Sequence, residues 1–292
     1  MRVCLRCSHK FVSDQWTCPA CGTEPECRAG FLCFAPELAA ANEGFSADYF
    51  ARLAELEPDH FWFRARNRLI QWAFKKHFSS AQTFLEVGCG TGFVLTGIRR
   101  QFPNIRVAGT DVFTEGLGFA RERLPGVELF QMDARKIPFE AEYDVIGAFD
   151  VLEHIAEDEQ ALAEFYRCCK PGGGVILTVP QHRFLWSAAD EYAYHKRRYT
   201  RRELLSKVGA AGFEVSHVTS FVSALLPMMC VSRLRHQKLD ASFDPYAEFR
   251  IGRAVNRTLE FVLSAERKLI EARVSLPVGG SLLVIARRID DK

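Results

Sequence analysis

From residue 83 onward, short apolar runs alternate with helix-like stretches. Thr83-Phe-Leu-Glu-Val predicts a strand, followed by glycines and a helix over about 92–101. Ile105-Arg-Val-Ala-Gly-Thr predicts a second strand with a helix at about 114–123, and Val127 to Gln131 a third. Tyr143 to Phe149 reads as a fourth, running into a helix that reaches about Cys169. Pro171 and three glycines introduce a fifth, Val175-Ile-Leu-Thr-Val. A helix from Arg201, a strand over Phe213 to Ser220 and a last strand, Ser281-Leu-Leu-Val-Ile-Ala, complete the series. Strands that alternate with helices predict an α/β fold with a parallel sheet covered on both faces. Upstream, residues 46–78 read as two helices, the first opened by Ser46 as N-cap, the second rich in aromatics (Phe61, Trp62, Phe63, Trp72).

Composition changes this picture at one end only. The 292 residues, 48% hydrophobic and 25% charged, suffice for one large core plus a small accessory module. A net charge of +2 lacks the basic excess of a dedicated nucleic-acid binder. The N-terminus has no signal-like apolar stretch, and no run reaches the ~18 apolar residues of a membrane span, so the cytoplasm is the expected compartment. Six of the ten cysteines, however, lie within residues 1–33. Cys4-Leu-Arg-Cys7 and Cys18-Pro-Ala-Cys21 form two C-x-x-C pairs that can set four thiolates tetrahedrally around Zn2+, with Gly22 suiting the tight knuckle. Rubredoxin-type iron is the alternative metal. Such a site is closed, hence structural; Cys27 and Cys33 are spare. Ala35-Pro36 marks the boundary, giving a zinc ribbon over 1–34, a linker and N-terminal helices over 35–80, and the main domain over 81–292.

The chemistry concentrates at strand ends. Leu85-Glu-Val-Gly-Cys-Gly-Thr-Gly92 places glycines at 88, 90 and 92, where the backbone can turn tightly and approach a ligand. It is not the dinucleotide fingerprint, because Phe93 occupies the third glycine position of that pattern. Asp111 ends the second strand, where a carboxylate can accept both ribose hydroxyls, and Asp133 follows the third, within reach of an adenine amine. Taken singly, Asp111 also reads as a helix N-cap and Asp133 as a turn residue.

Glu86-Val-Gly-Cys-Gly-Thr-Gly, Phe149-Asp-Val-Leu-Glu-His, Lys170-Pro-Gly-Gly-Gly and His195-Lys-Arg-Arg-Tyr-Thr-Arg-Arg-Glu-Leu together resemble class I S-adenosylmethionine-dependent methyltransferases, especially the group with quinone-biosynthesis and bacterial glycan- and lipid-associated members. The resemblance covers residues 83–220. It implies a seven-stranded Rossmann-like sheet whose last strand is antiparallel. It further implies that Gly88, Gly90 and Gly92 contact the methionine moiety of S-adenosylmethionine, Asp111 the ribose, and Met132 and Asp133 the adenine. Asp150 would line the site, and Glu86, Val112 and Ala134 complete the expected cofactor set. His60-Phe-Trp-Phe-Arg-Ala-Arg-Asn resembles a segment of bacterial members whose N-terminal helices roof the cofactor.

Methyl transfer from a sulfonium is an in-line displacement that needs no covalent enzyme nucleophile. A hydroxyl acceptor would profit from a general base, and His154, His182 and His195 are the candidates, each with a plain structural alternative. Asp150, Glu153 and His154, at i, i+3 and i+4, would share one face of a helix start and could ligate a divalent cation. About sixty residues separate the last two strands, a departure from the family pattern. Within this insertion of about 222–277, the uncharged run Phe221 to Ser232 and a helix over about 250–273 read as a lid, a dimer surface or a peripheral contact with the inner membrane face. The expected acceptor is a hydroxyl on a small molecule, glycan or lipid-linked intermediate. Ribosomal RNA methylation and a non-catalytic cofactor-binding scaffold are the rival readings; oligomeric state is not legible.

Overall fold

The computed structural model describes all residues except 41–46, 236–243, 245–248 and 290–292. Ser46, expected as an N-cap, lies outside the described residues. The N-terminal unit contains β1 (Arg2–Val3), β2 (Lys10–Phe11), β3 (Glu26–Arg28) and β4 (Phe31–Cys33). Three helices follow, α1 (Pro36–Ala40), α2 (Ala47–Leu56) and α3 (Phe61–His77). The alternating region then runs β5 (Thr83–Val87), α4 (Phe93–Gln101), β6 (Arg106–Asp111), α5 (Thr114–Arg123), β7 (Glu128–Gln131), β8 (Tyr143–Phe149), α6 (Asp158–Cys168) and β9 (Cys169–Pro180). Short α7 (Ala188–Tyr192), α8 (Arg201–Ala210), β10 (Phe213–Phe221), α9 (Leu226–Arg235), α10 (Arg253–Glu271) and β11 (Ser281–Arg288) complete the chain.

The sheet order is β10-β11-β9-β8-β5-β6-β7-β4-β3. Strands β5 to β9 are parallel, and β11 runs antiparallel to both β9 and β10. The expected seven-stranded arrangement is therefore present, with two more strands at its edge. β4 pairs in parallel with β7 (Leu32 opposite Phe130, Cys33 opposite Gln131), and β3 pairs with β4. Part of the ribbon segment thus belongs to the main sheet.

Each central strand is buried on both faces, which is why these strands read as continuous apolar runs. Phe84, Val145 and Ile176 face one core with Ile70, Leu95 and Leu117 of α3, α4 and α5. Leu85, Ile146 and Leu177 face the other, with Phe165 of α6 and Leu204 of α8. The region after β8 differs from expectation. Asp150 takes a left-handed φ of 58° and Leu152–His154 form one 3-10 turn, so α6 begins only at Asp158. Asp150, Glu153 and His154 therefore do not share a helix start. None of the described helices is long and apolar enough to cross a membrane.

Aromatic packing seats the ribbon on the sheet. The Trp16 ring meets Phe34, Phe130 and Phe139 edge-on at 4.7, 5.6 and 5.5 Å, with the Arg2 guanidinium 4.2 Å from its centroid. Beside it, the buried Gln131 side chain donates to Ala35 O (2.7 Å) and Val112 O (3.0 Å) and accepts from Ala35 N (3.1 Å). Trp16→Ala should lower the unfolding free energy by about 3 kcal/mol, measured by urea titration, since an aromatic cluster and a cation–π contact go together.

Candidate active site

The site is built on the C-terminal ends of the parallel strands. β5 ends in Gly88, whose φ of 69° belongs to the left-handed region, and a Cβ there would lie 2.4 Å from Val151 Cγ2. Only glycine lets this turn close against the end of β8. Gly90 N then donates to Asp111 Oδ2 at 2.8 Å, while Phe113 N donates to Oδ1 at 3.0 Å. Asp111 so acts in part as the local turn-former, and its carboxylate also lines the cavity. Burial pushes this carboxyl up to about 6, against the lowering pull of the two amides.

That cavity, of about 1270 Å³, is lined by Glu86, Gly88, Gly90, Asp111, Val112, Met132, Asp133, Ala134 and Asp150. It exceeds the ~300–1000 Å³ usual for one small ligand. Gly92 stands behind the lining at the start of α4, also at positive φ. Asp133 is held by Arg135, whose Nε lies 3.0 Å from both carboxylate oxygens. Glu86 is almost wholly buried and its Oε2 has no hydrogen-bond partner; burial raises its carboxyl well above the usual range. An orphaned acceptor beside a glycine turn fits a ligand that brings donors.

α2 and α3 close the roof. Arg66 of α3 ion-pairs with Asp150, and its guanidinium lies 4.5 Å from the Trp62 centroid. Glu57, after α2, accepts from Thr91 Oγ1 (2.5 Å) and from Arg123 (2.6 Å), fixing the roof to the glycine loop. Arg66, Glu57 and Arg123 escaped the sequence reading. The signal available for Arg66 was a cation inside an aromatic-rich helical run.

Of the three histidines, His154 and His195 line the cavity and His182 does not. His182 packs on Phe184 with ring centroids 5.0 Å apart. The His154 and His195 rings meet edge-on at 4.7 Å. Burial, and then the proximity of His195, push His154 down to about 3, so it is neutral and weakly basic. His195 is held differently. Its Nδ1 lies 2.8 Å from Asp190 Oδ1, and Asp190 is fully buried while also accepting from Arg198 Nε (2.7 Å) and Ser187 N (3.0 Å). Burial alone would raise the Asp190 carboxyl, but the hydrogen bonds and charges of His195 and Arg198 bring it to about 2. A carboxylate therefore holds one ring nitrogen of His195, a residue that lines the cavity. Asp190 also escaped the sequence reading, although Ser187-x-x-Asp190 has capping-box spacing and both its bonds form.

Two donor clusters stand out among the described residues. Glu153, His154 and His195 place donor atoms within 4.8 Å of one another, so His195 takes the place expected of Asp150. Burial raises the Glu153 carboxyl well above its usual range, and neither of its oxygens has a hydrogen-bond partner. In the ribbon, the sulfurs of Cys4, Cys7, Cys18 and Cys21 form the second cluster, with Cys4–Cys21 and Cys7–Cys18 both at 3.6 Å. Two matching knuckles hold them: Ser8 N donates to Cys4 O and Gly22 N to Cys18 O, with Ser8 and Gly22 at φ of 60° and 70°. Cys27 is exposed and Cys33 buried, both outside the cluster.

Comparison with known proteins agrees with this geometry. Residues 85–177 match the family model described as a methyltransferase domain. A probable S-adenosylmethionine-dependent methyltransferase of Mycolicibacterium smegmatis is 28% identical over 167 residues, 55% of this chain and 62% of that protein. Trans-aconitate 2-methyltransferase of an Azoarcus species is 33% identical over 102 residues, covering 35% and 40% of the two chains. Among solved structures, a complex of the Haloferax volcanii Trm112 methyltransferase activator and a putative methyltransferase aligns over 82% of this chain and 97% of that one, at 19% identity and a TM-score of 0.51. The chain spans about three fifths of the length of the first curated relatives it matches. The sheet has the α/β methyltransferase fold, and residues 85–177 of it are similar to the methyltransferase-domain family.

Gly88→Ala should weaken S-adenosylmethionine binding about 10-fold or more in calorimetry, because both φ and the Val151 contact oppose it. With its carboxyl pushed up to about 6, Asp111 is half-protonated at that pH and loses its charge as pH falls further. Affinity for the cofactor should therefore fall as pH drops from about 8 to about 5, a loss that Asp111→Asn should flatten.

Proposed function

We propose that the protein transfers the methyl group of S-adenosylmethionine to a hydroxyl of an acceptor with a substantial apolar part. The observation that carries this reading is that one cavity holds both a polar turn region and an apolar lining. Its lining includes the glycine turn with Asp111 and Asp133, and also His195 and the apolar side chains of Phe249, Ile251, Leu225, Met229 and Leu259. S-adenosylmethionine, when bound, supplies an electrophilic methyl on a sulfonium. Gly88 and Gly90 hold its methionine end, with Glu86 accepting a donor there. Asp111 takes the ribose hydroxyls, and Met132, Asp133, Val112 and Ala134 surround the adenine.

His195 is the general base. Asp190 keeps Nδ1 protonated, so Nε2 accepts the hydroxyl proton as the oxygen–carbon bond forms and the sulfur–carbon bond breaks. Asp190 then stabilises the imidazolium. His154 packs against His195 and orients it, being too weak a base for the task.

The four ribbon thiolates bind zinc structurally. A tetrahedron with ~2.3 Å Zn–S bonds has edges of about 3.75 Å, close to the 3.6 Å separations here. RNA recognition by the ribbon is disfavoured, because its cations are engaged within the chain. Arg2 stacks on Trp16, Arg6 bonds Thr23, and Lys10 and Arg28 pair with Glu140 and Glu26. The non-catalytic scaffold reading leaves the Asp190–His195 pair and the apolar lining without a use.

Labelled methyl transfer to candidate hydroxyl acceptors tests the reading. His195→Ala should lower turnover ~10²- to 10⁴-fold with cofactor affinity kept, whereas Asp111→Ala should abolish binding of S-adenosylmethionine itself. Asp190→Asn should reduce the rate and shift its pH profile. Well-folded protein that binds no cofactor would overturn the proposal. Purified protein should also hold about one zinc per chain, lost in Cys18→Ser together with several degrees of thermal stability.

A further inference from the structure

The last two helices sort their charges in an unusual way. α10 has three acids, and none faces water alone. Glu260 pairs with Arg64 (3.2 Å) and Arg68 (2.7 Å) of α3. Glu266 is buried and accepts from the amides of Val222 (2.6 Å) and Ala224 (2.8 Å), tying α10 to the segment between β10 and α9. Glu271 pairs with Arg267. What α10 exposes is Arg253, Arg257 and Lys268, interleaved with Val255, Phe261 and Leu269. Phe261 is 74% exposed, a costly position for a phenyl ring in water. α9 continues the surface with Met228 and Val231, each 51% exposed, in the uncharged run that ends at Ser232.

This surface borders the cavity at two of its side chains. Met228 of α9 and Val255 of α10 are both more than half exposed and also line the cavity, so each helix brings an exposed apolar side chain to it. From this we infer that the α9–α10 face docks on an anionic lipid bilayer, with this border of the cavity turned toward the acyl chains. Cations bordering large apolar side chains match a negatively charged interface, where the ammonium and guanidinium groups meet headgroups and the side chains between them enter the acyl boundary. A second copy of the chain fits worse: a twofold contact through this face would oppose its own cations, and no acid is exposed on α10 to answer them. A nucleic acid fits worse too, since four of the five exposed apolar side chains are aliphatic and offer no stacking plane. The inference does not depend on methyl transfer.

Flotation of the full-length, zinc-loaded protein with vesicles tests it, comparing phosphatidylcholine alone with phosphatidylcholine containing about 30% phosphatidylglycerol. The expected result is binding to the anionic vesicles that weakens with added salt, and little binding to the neutral ones. Phe261→Asp, and separately the double variant Arg257→Glu with Lys268→Glu, should each lower the bound fraction about 10-fold while leaving the thermal unfolding midpoint unchanged. These side chains are exposed, so the fold does not depend on them. Absence of binding to anionic vesicles at low salt, or binding that both variants leave intact, would overturn the inference. So would a dimer in light scattering, or RNA oligonucleotide binding, that the same variants abolish.

Discussion

The bond from the Gly90 amide to the Asp111 carboxylate joins the ends of two adjacent strands, and the site is arranged around it. It draws the glycine loop over β6 and fixes the start of α5 through the Phe113 amide. It also leaves a buried carboxylate facing the cavity. The constraint behind it is the left-handed turn at Gly88, which no side chain can enter without striking Val151. Because Val151 follows the strained Asp150, the turns after β5 and β8 specify each other. Arg66 then reaches Asp150 from α3, and Arg123 holds Glu57 against Thr91, so the roof is fastened to the same turns.

Two buried carboxyl groups a short way apart behave in opposite ways, and environment alone decides it. Asp190 sits among His195, Arg198 and the Ser187 amide, so it stays ionised. Glu153 has no donor for either oxygen and is driven toward its neutral form. The outcome is a site with a fixed negative charge behind His195 and, beside it, an acid that burial drives toward its neutral form. Such separation of carboxyl states is how a fold assigns acid and base roles at one pH.

Much of this was legible beforehand. Thr83–Val87 and Tyr143–Phe149 lie where the apolar pattern placed them, because strands buried on both faces must be continuously apolar. The glycines, Asp111 and Asp133 were visible because their spacing follows strand ends. What escaped depends on tertiary contacts. β3 is three exposed residues, Glu26-Cys-Arg, with no alternation to reveal a strand; only β4 lying along β7 makes it one. The helix expected straight after β8 is delayed because Asp150 turns left-handed to meet Arg66, against local propensity. Asp190 escaped because its environment is made by His195 and Arg198, which reach it from beyond the end of α7.

The added strands carry one more consequence. Without the hairpin of β3 and β4, β7 would be the outermost strand of a largely parallel sheet, with unpaired amides and carbonyls open to any other chain. The hairpin moves that edge outward to three exposed residues, two of them charged, too short a template to recruit another molecule. The ribbon is thus a cap against edge-to-edge self-association. Loss of this hairpin would act first on solubility, by exposing a sticky margin, before it reached the cavity a few strands away.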